Sequence, residues 1–185
     1  IQNIKTQTKT TTIKEENNYL IILDSSGNSY SADKVISTIP PNLLVNSVVF
    51  EPKLPENFTQ LAKTTHTWMG ESIKFAVEYK TPFWKQNHYS GTIFSQASII
   101  QEMYDHSTAT NCGFALKGFL NVGTAVLSKE DRKEKAIAQL TAFFGLEATD
   151  YVAYYENVWR EEPLTFQPYE QLVLAHQNNG HSLFK

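Results

Sequence analysis

The sequence predicts an α+β protein in which a mixed, largely antiparallel β-sheet is packed with a few helices. Apolar and polar side chains alternate at period two between Ile73 and Lys80, as in a strand with one buried face. Residues 19–39 contain two apolar runs around a turn-forming cluster, which is typical of a hairpin. Residues 129–144 instead place their apolar side chains at helical spacing.

Composition limits the function classes open to this chain. Its 185 residues are 41% hydrophobic and 12% aromatic, enough for one ordinary domain or two small halves. A charged fraction of 19% and a net charge of -3 disfavour binding to nucleic acid or to anionic membranes. We recognise no signal peptide and no membrane-spanning segment. The single Cys112 excludes an internal disulfide and, with these features, predicts a cytoplasmic protein.

The first part of the chain is predicted to be mostly extended. Residues 1–13 are rich in threonine, and β-branched residues favour strands, so we expect one or two edge-type strands there. Residues 19–23 and 30–39 flank the turn at 25–28 and form the expected hairpin. A short amphipathic helix is predicted over 56–63, directly after a proline.

The strand within Gly70–Trp84 carries the strongest period-two pattern. It should end at Thr81–Pro82, because proline has no N–H for the ladder and restricts the residue before it. Phe83 and Trp84 follow as a bulky aromatic pair. The predicted buried face consists of Ile73, Phe75, Val77 and Tyr79.

The remaining elements are three strands, one long helix and a last strand. The strands are predicted over 89–94, 99–104 and 112–120, and the last one over 151–158. The helix over 129–144 begins with a capping box, Ser128 and Asp131, and ends at Gly145. Its apolar stripe, predicted to be core, consists of Ala136, Ile137, Leu140, Phe143 and Phe144. Residues 164–185 are predicted to be loop.

No self-contained catalytic cluster is recognisable. His106 lies between Asp105 and Ser107, but adjacent residues of one turn cannot form a nucleophile–base–orienter triad. The five histidines show no helical i, i+4 pair and no companion cysteines, so we predict no metal site. The chain also lacks a Gly-x-Gly-x-x-Gly turn. These features indicate a piece of a larger protein or a non-catalytic α+β module that binds a ligand or partner.

Three patches resemble flavin-containing amine oxidases of the monoamine oxidase family. The resemblance covers about Ala32 to Glu162. One patch is the Val-Ile and Ile-Pro-Pro segment of residues 32–41, and another is the capped helix that ends at Phe144-Gly145, followed later by Trp159 and an acidic pair. The most specific patch has the family order of Gly70, Lys74, Tyr79, Pro82, Phe83 and Trp84.

The resemblance implies roles for individual residues. In the family a lysine holds a water against the flavin ring, and Lys74 matches it. Trp159 matches a tryptophan near the flavin, and the aromatic side chain of the substrate site would come from Phe166 or Tyr169. The small residues of the patch at 32–41 imply that Ser37, Thr38 and Pro40 lie beside the nucleotide cofactor. The alternative is that Lys74 is a solvated strand lysine and Trp159 a packing residue.

The resemblance also implies the domain organisation and the activity. Residues 1–63 would be a partial flavin-domain segment, 64–156 a substrate-domain portion, and 157–185 a return segment towards the flavin domain. The chain would be a fragment of an FAD-dependent amine oxidase that converts an amine to an imine and reduces O2 to hydrogen peroxide. FAD would bind non-covalently, because no cysteine follows Trp159, and only together with the remainder of the flavin domain. A related flavin desaturase or oxidase, or a degraded oxidase that has lost its flavin site, is an alternative.

Overall fold

The computed structural model describes residues 3–110 and 112–184, which form two compact units. Met69–Glu162 is one unit, and the segments before and after it form the other. Mixed helix and sheet with mostly antiparallel pairing confirms the predicted fold class. The domain boundaries implied by the resemblance, after residues 63 and 156, stay a prediction.

The first unit contains a four-stranded mixed sheet. Strands β1 (Thr10–Glu16), β2 (Tyr19–Asp24), β3 (Ser29–Ala32) and β4 (Val49–Glu51) lie in the order β3-β2-β1-β4. The pairs β1–β2 and β2–β3 are antiparallel, and β1–β4 is parallel. The expectation of edge-type strands in residues 1–13 was wrong for β1. It has a neighbour on each side, because the short β4 adds to it from later in the chain.

The predicted hairpin is confirmed, and Asp24 organises its turn. One carboxylate oxygen of Asp24 accepts hydrogen bonds from the amides of Ser26 and Asn28. The other oxygen accepts from the side-chain amide of Asn28 and the hydroxyl of Tyr30, each at 2.9 Å. The side-chain bond from Asn28, helped by the other donors, lowers the pKa of Asp24 from 3.8 to about 2.

The depressed pKa predicts that the hairpin is resistant to acid. A carboxyl group with a lowered folded-state pKa stabilises the fold above its ordinary pKa and loses that contribution as the pH falls through the folded value. The turn amides of Ser26 and Asn28 should therefore titrate near pH 2 in NMR spectra, rather than near 3.8. Asp24→Asn should abolish this transition; a transition retained by the variant would assign it to another group.

The strand predicted over residues 30–39 ends early. β3 stops at Ala32, and the residues from Asp33 to Ile39 belong to no strand. The side chain of Ile36 is 91% exposed. Val35 and Ile36 therefore do not form the buried face of a strand. In the described ranges 3–110 and 112–184, β2 is the only partner of β3, and no strand pairs with the segment after it.

Two helices complete the first unit. α1 (Pro41–Ser47), which the sequence did not predict, begins with a proline in its first turn and buries Leu43 and Leu44. α2 (Glu56–Lys63) has the predicted bounds. The segment after Glu162 has no strand or α-helix in its described part, and only Ser182–Phe184 forms a 3-10 turn.

The second unit is an antiparallel five-stranded sheet covered by a helix. Its strands β5 (Ile73–Tyr79), β6 (Ile93–Phe94), β7 (Ile100–Asp105), β8 (Phe114–Leu120) and β9 (Tyr151–Val158) lie in the order β6-β7-β8-β5-β9. β6 is shorter than predicted, because Gly91 has a positive φ of 75° and the preceding residues turn back towards Trp84. A short helix, α3 (Phe83–Gln86), buries Phe83 and Trp84.

The core lies between one face of this sheet and α4 (Lys129–Phe144). All four residues of the predicted apolar face of β5 are buried. Ser128 accepts the amide of Asp131 as the helix N-cap, and Gly145 ends the helix with φ 92°. Ala136, Leu140 and Phe144 are buried as expected. Phe143 is 49% exposed, so it does not belong to the core stripe.

None of the helices that the structure describes within residues 3–110 and 112–184 is both long and apolar enough to cross a lipid bilayer.

Candidate functional site

Lys74 lies in β5 on the face of the sheet opposite the core. Its neighbours in the strand, Ile73 and Phe75, are buried, whereas Lys74 is exposed. Its ammonium nitrogen lies 5.7 Å from the ring centroid of Phe119 and 5.6 Å from that of Trp159. Both distances allow attraction between the cation and the aromatic ring. The lysine is therefore held between two aromatic side chains.

Strand register explains how these residues meet. Lys74 lies opposite Phe119 of β8 and opposite Asn157 of β9, and directly opposed residues share a face. Trp159 follows β9 in a 3-10 turn (Trp159–Glu161), and its backbone amide donates to the carbonyl of Ser72 at 3.0 Å. The structure thus brings together Lys74 and Trp159, which the sequence singled out separately.

The indole of Trp159 has an unused hydrogen-bond donor. Its Nε1 atom is buried and lacks a hydrogen-bond acceptor in the part of the chain that the structure describes. A buried donor without a partner costs free energy and calls for an explanation; the core residue Trp84 has such a donor too.

The same face carries two carboxylates, neither of which the sequence singled out. Glu102 of β7 lies opposite Phe119, and its Oε1 accepts the hydroxyl of Tyr104 at 2.7 Å. Glu78 accepts the hydroxyl of Tyr155 at 3.1 Å. These hydrogen bonds raise the pKa of each tyrosine, so both hydroxyls remain donors at neutral pH. Phe119 and Glu102 were missed because only the pairing of strands places them in one row across the sheet with Lys74.

Two of the predicted cofactor residues line a cavity within the first unit. Ser37 and Thr38 lie on the wall of a space of about 180 Å³ that β1, β2 and α1 also border. The hydroxyl of Ser37 accepts the amide of Ile39 at 3.3 Å. Pro40 is absent from this wall. Its carbonyl accepts the amide of Leu44 at 2.9 Å, so Pro40 serves the start of α1.

The two predicted substrate-site aromatics also belong to the first unit. Phe166 is buried, and its ring lies 6.0 Å from that of Tyr169 in an edge-to-face arrangement. The hydroxyl of Tyr169 accepts the amide of Thr67 at 2.6 Å and donates to the carbonyl of Thr65 at 3.2 Å. Tyr169 is thus fixed at the segment that precedes β5 in the chain, and its role in substrate binding stays a prediction.

Comparison with known proteins identifies relatives of this arrangement. The model of the family described as flavin containing amine oxidoreductase matches residues 2–181. A putrescine oxidase of Kocuria rosea is 33% identical over 138 residues, which cover 72% of this chain and 28% of that protein. The flavin-containing amine oxidase B of Homo sapiens is 35% identical over 141 residues, 72% of this chain and 26% of that protein.

A solved structure shares the fold. A wild-type putrescine oxidase bound to putrescine superimposes with a TM-score of 0.76 at 30% sequence identity, over 88% of this chain and 36% of that one. The chain therefore spans between a quarter and two fifths of the length of the relatives that it matches.

Proposed function

Because the chain belongs to the family of flavin containing amine oxidoreductases, we propose that the full-length protein oxidises an amine to an imine and reduces O2 to hydrogen peroxide. One observation carries this proposal. The lysine that matches the family position lies on an open sheet face, with its ammonium between the rings of Phe119 and Trp159. A lysine that served only solubility would not need two aromatic neighbours.

FAD is the cofactor that the family and the site favour. Trp159, which matches the tryptophan near the flavin in the family, lies with its ring 5.6 Å from the ammonium of Lys74. Ser37 and Thr38 offer small side chains at a cavity where a nucleotide could approach the backbone. When bound, the flavin would accept the hydride equivalent from the carbon beside the amine nitrogen. Binding would be non-covalent, since residues 160–185, which follow Trp159, contain no cysteine.

The residues of this chain would bind and orient rather than exchange protons with the substrate. Lys74 would donate a hydrogen bond to a water molecule and hold it beside the reacting centre. Phe119 and Trp159 would exclude bulk water and favour a neutral amine over its ammonium form, because an apolar surround disfavours charge. Water would then hydrolyse the imine. This division of labour agrees with the absence of a nucleophile–base pair among the residues predicted for the site.

The first test is the absorption spectrum of the full-length protein, purified without added cofactor. We expect a flavin spectrum that an amine bleaches in the absence of oxygen and that returns with peroxide release in air. A colourless protein that takes up no flavin would overturn the proposal and favour a binding module. Turnover of a polyene or porphyrinogen alone would assign the protein to a related class of flavoenzymes.

Lys74→Met should then lower turnover by about 100-fold, the effect of losing a group that positions a reacting water. Methionine keeps the length and packing of the side chain but cannot hold the water. Lys80→Met is the matched control, since Lys80 is exposed just beyond the end of the same strand. Steady-state oxygen consumption measures both variants. Equal effects of the two substitutions would make Lys74 an ordinary surface lysine.

A further inference from the structure

We propose that Asn179 is a site of spontaneous covalent modification, at which the side-chain amide is lost and the backbone is rearranged to isoaspartate. The turn around Asn179 then releases its contact with the segment that precedes β5. The modification lies within the first unit and does not depend on amine oxidation. Three features carry the inference: the Asn179-Gly180 sequence, the free amide nitrogen of Gly180, and the hydrogen bonds that hold the neighbouring residues.

The reaction needs no enzyme and no reagent other than water. The backbone nitrogen of Gly180 attacks the side-chain carbonyl carbon of Asn179, a succinimide ring closes, and the side-chain nitrogen leaves as ammonia. Water then opens the ring at either carbonyl and gives aspartate or isoaspartate, whose backbone is longer by a methylene group. Glycine favours the attack, because it has no Cβ atom to obstruct the ring and adopts most backbone conformations. Asn179-Gly180 is the only Asn-Gly pair in the sequence.

The structure leaves the reacting groups free. Asn179 and Gly180 are both exposed and lie in a turn outside the helices and strands. Within residues 3–110 and 112–184, the amide nitrogen of Gly180 has no acceptor and the side chain of Asn179 forms no hydrogen bond. The nitrogen therefore loses no hydrogen bond when it attacks. Gly180 has a φ of 77°, and nothing lies within 4 Å of the position that its Cβ atom would occupy.

Asn28 and Asn46 are each followed by serine, another small residue, but the structure restrains both side chains. The side-chain nitrogen of Asn28 donates to Oδ2 of Asp24 at 2.9 Å, within the turn of the hairpin. The side-chain nitrogen of Asn46 donates to the carbonyl oxygen of Asn42 at 2.8 Å within α1, where the helix uses the backbone amides for its own hydrogen bonds. An amide held in this way does not turn its carbonyl carbon towards the next backbone nitrogen. These two asparagines are internal controls.

The residues before Asn179 hold the turn against the segment that precedes β5. The carbonyl oxygen of Gln177 accepts the amide of His66 at 3.0 Å. The side-chain nitrogen of Asn178 donates to the carbonyl and hydroxyl oxygens of Thr64, at 3.2 and 3.0 Å. Asn178 has a positive φ of 60°, a conformation that costs free energy and persists where neighbouring contacts impose it. A longer backbone at Asn179 lets Asn178 relax and separates it from Thr64.

The test measures peptide masses of the full-length protein after incubation at about pH 8 and at about pH 6, because the attacking nitrogen must lose its proton. We expect the peptide that contains Asn179 to gain about 1 Da, the difference between an amide and a carboxyl group, and to gain it faster at the higher pH. Fragmentation should detect isoaspartate at Asn179, while the peptides of Asn28 and Asn46 keep their mass. Equal gains at all three asparagines would overturn the proposal. So would an unmodified Asn179 in the folded protein when the urea-unfolded chain is modified.

Two variants separate the modification from its effect on the turn. Asn179→Gln keeps an amide but would need a larger ring, so it should stay unmodified. Hydrogen exchange of the His66 amide should become about tenfold faster in the incubated wild type, as for the loss of roughly one hydrogen bond, and stay unchanged in incubated Asn179→Gln. Fresh Asn179→Asp, which has the charge but an ordinary backbone, should exchange like the fresh wild type. Unchanged exchange in the modified wild type, or fast exchange in fresh Asn179→Asp, would overturn the release of the turn by a longer backbone. None of these measurements requires amine oxidation, so their outcome is independent of the proposed function.

Discussion

Replacing Arg132 by leucine is expected to destabilise the second unit by roughly 3–5 kcal/mol, the cost of leaving one partner of a buried ion pair uncompensated. Arg132 of α4 donates to Oε1 of Glu156 from Nε at 2.9 Å and from Nη2 at 2.7 Å. Both side chains are almost completely buried. The Glu156 carboxylate would therefore remain in the core without its cation.

The rest of the network increases the expected loss. Nη1 of Arg132 donates to the carbonyls of Thr124 and Leu127, and the hydroxyl of Tyr154 donates to Oε2 of Glu156 at 2.7 Å. Burial and this bond raise the pKa of Tyr154 well above its usual value, so the hydroxyl stays protonated. Arg132 thus ties the segment before α4 to Glu156 of β9, the residue next to Asn157, which pairs with Lys74.

The ion pair Lys85–Asp105 is the control, because its atoms approach equally closely, at 2.7 Å, but its side chains are partly exposed. Lys85→Met should cost less than about 1 kcal/mol. Urea unfolding, followed by hydrogen exchange of β9 amides, measures both variants. An equal loss of stability in the two variants would show that burial does not increase the contribution of the Arg132–Glu156 pair to stability. The double variant Arg132→Leu, Glu156→Leu should recover part of the loss, since it removes both buried charges.

The contrast between α4 and the Arg132–Glu156 pair shows which features a sequence can predict. The cap at Ser128, the periodic apolar residues and Gly145 all lie within one segment, so local chemistry determined the bounds of α4. β5 was predicted from its alternation and the proline that follows it, and β9 from its Val and Tyr content. A pair 24 residues apart in the chain has no local signal, because it depends on how a helix lies on a sheet.

The wrong and missing predictions also concern features that depend on residues far apart in the chain. Val35-Ile36 has the composition of a strand, but a strand exists only where another backbone pairs with it. The apolar run at residues 43–50 is too short for its hydrophobic periodicity to distinguish a helix from a strand. In the structure it contributes to both α1 and β4. In the candidate site, Lys74 and Trp159 were singled out through the resemblance. Phe119 and Glu102 required the register of β5, β7 and β8, and the β-bulge in β7 between Ile100 and Glu102 cannot be located from one strand alone.

Gly118 is the position at which a single added methyl group should have a large effect. It lies in β8 opposite Met103, and a Cβ atom there would be 1.9 Å from the carbonyl oxygen of Glu102 and 2.7 Å from the Cα atom of Met103. Both atoms are backbone, so no rotamer change can relieve the overlap, and β7 would have to move away from β8. Because the bulge and the hydrogen bond from the amide of Ile100 to the buried Gln139 lie in this part of β7, the displacement would reach the core.

We therefore expect Gly118→Ala to destabilise the second unit by about 3 kcal/mol, the upper end of the usual cost of overpacking. Gly113→Ala is the control, because a Cβ atom at Gly113 would meet only the side chain of Thr108, at 3.3 Å, and should cost less than about 1 kcal/mol. Urea unfolding compares the two variants. An unfolding free energy of Gly118→Ala equal to that of the wild type would show that β7 and β8 can separate at this contact without cost.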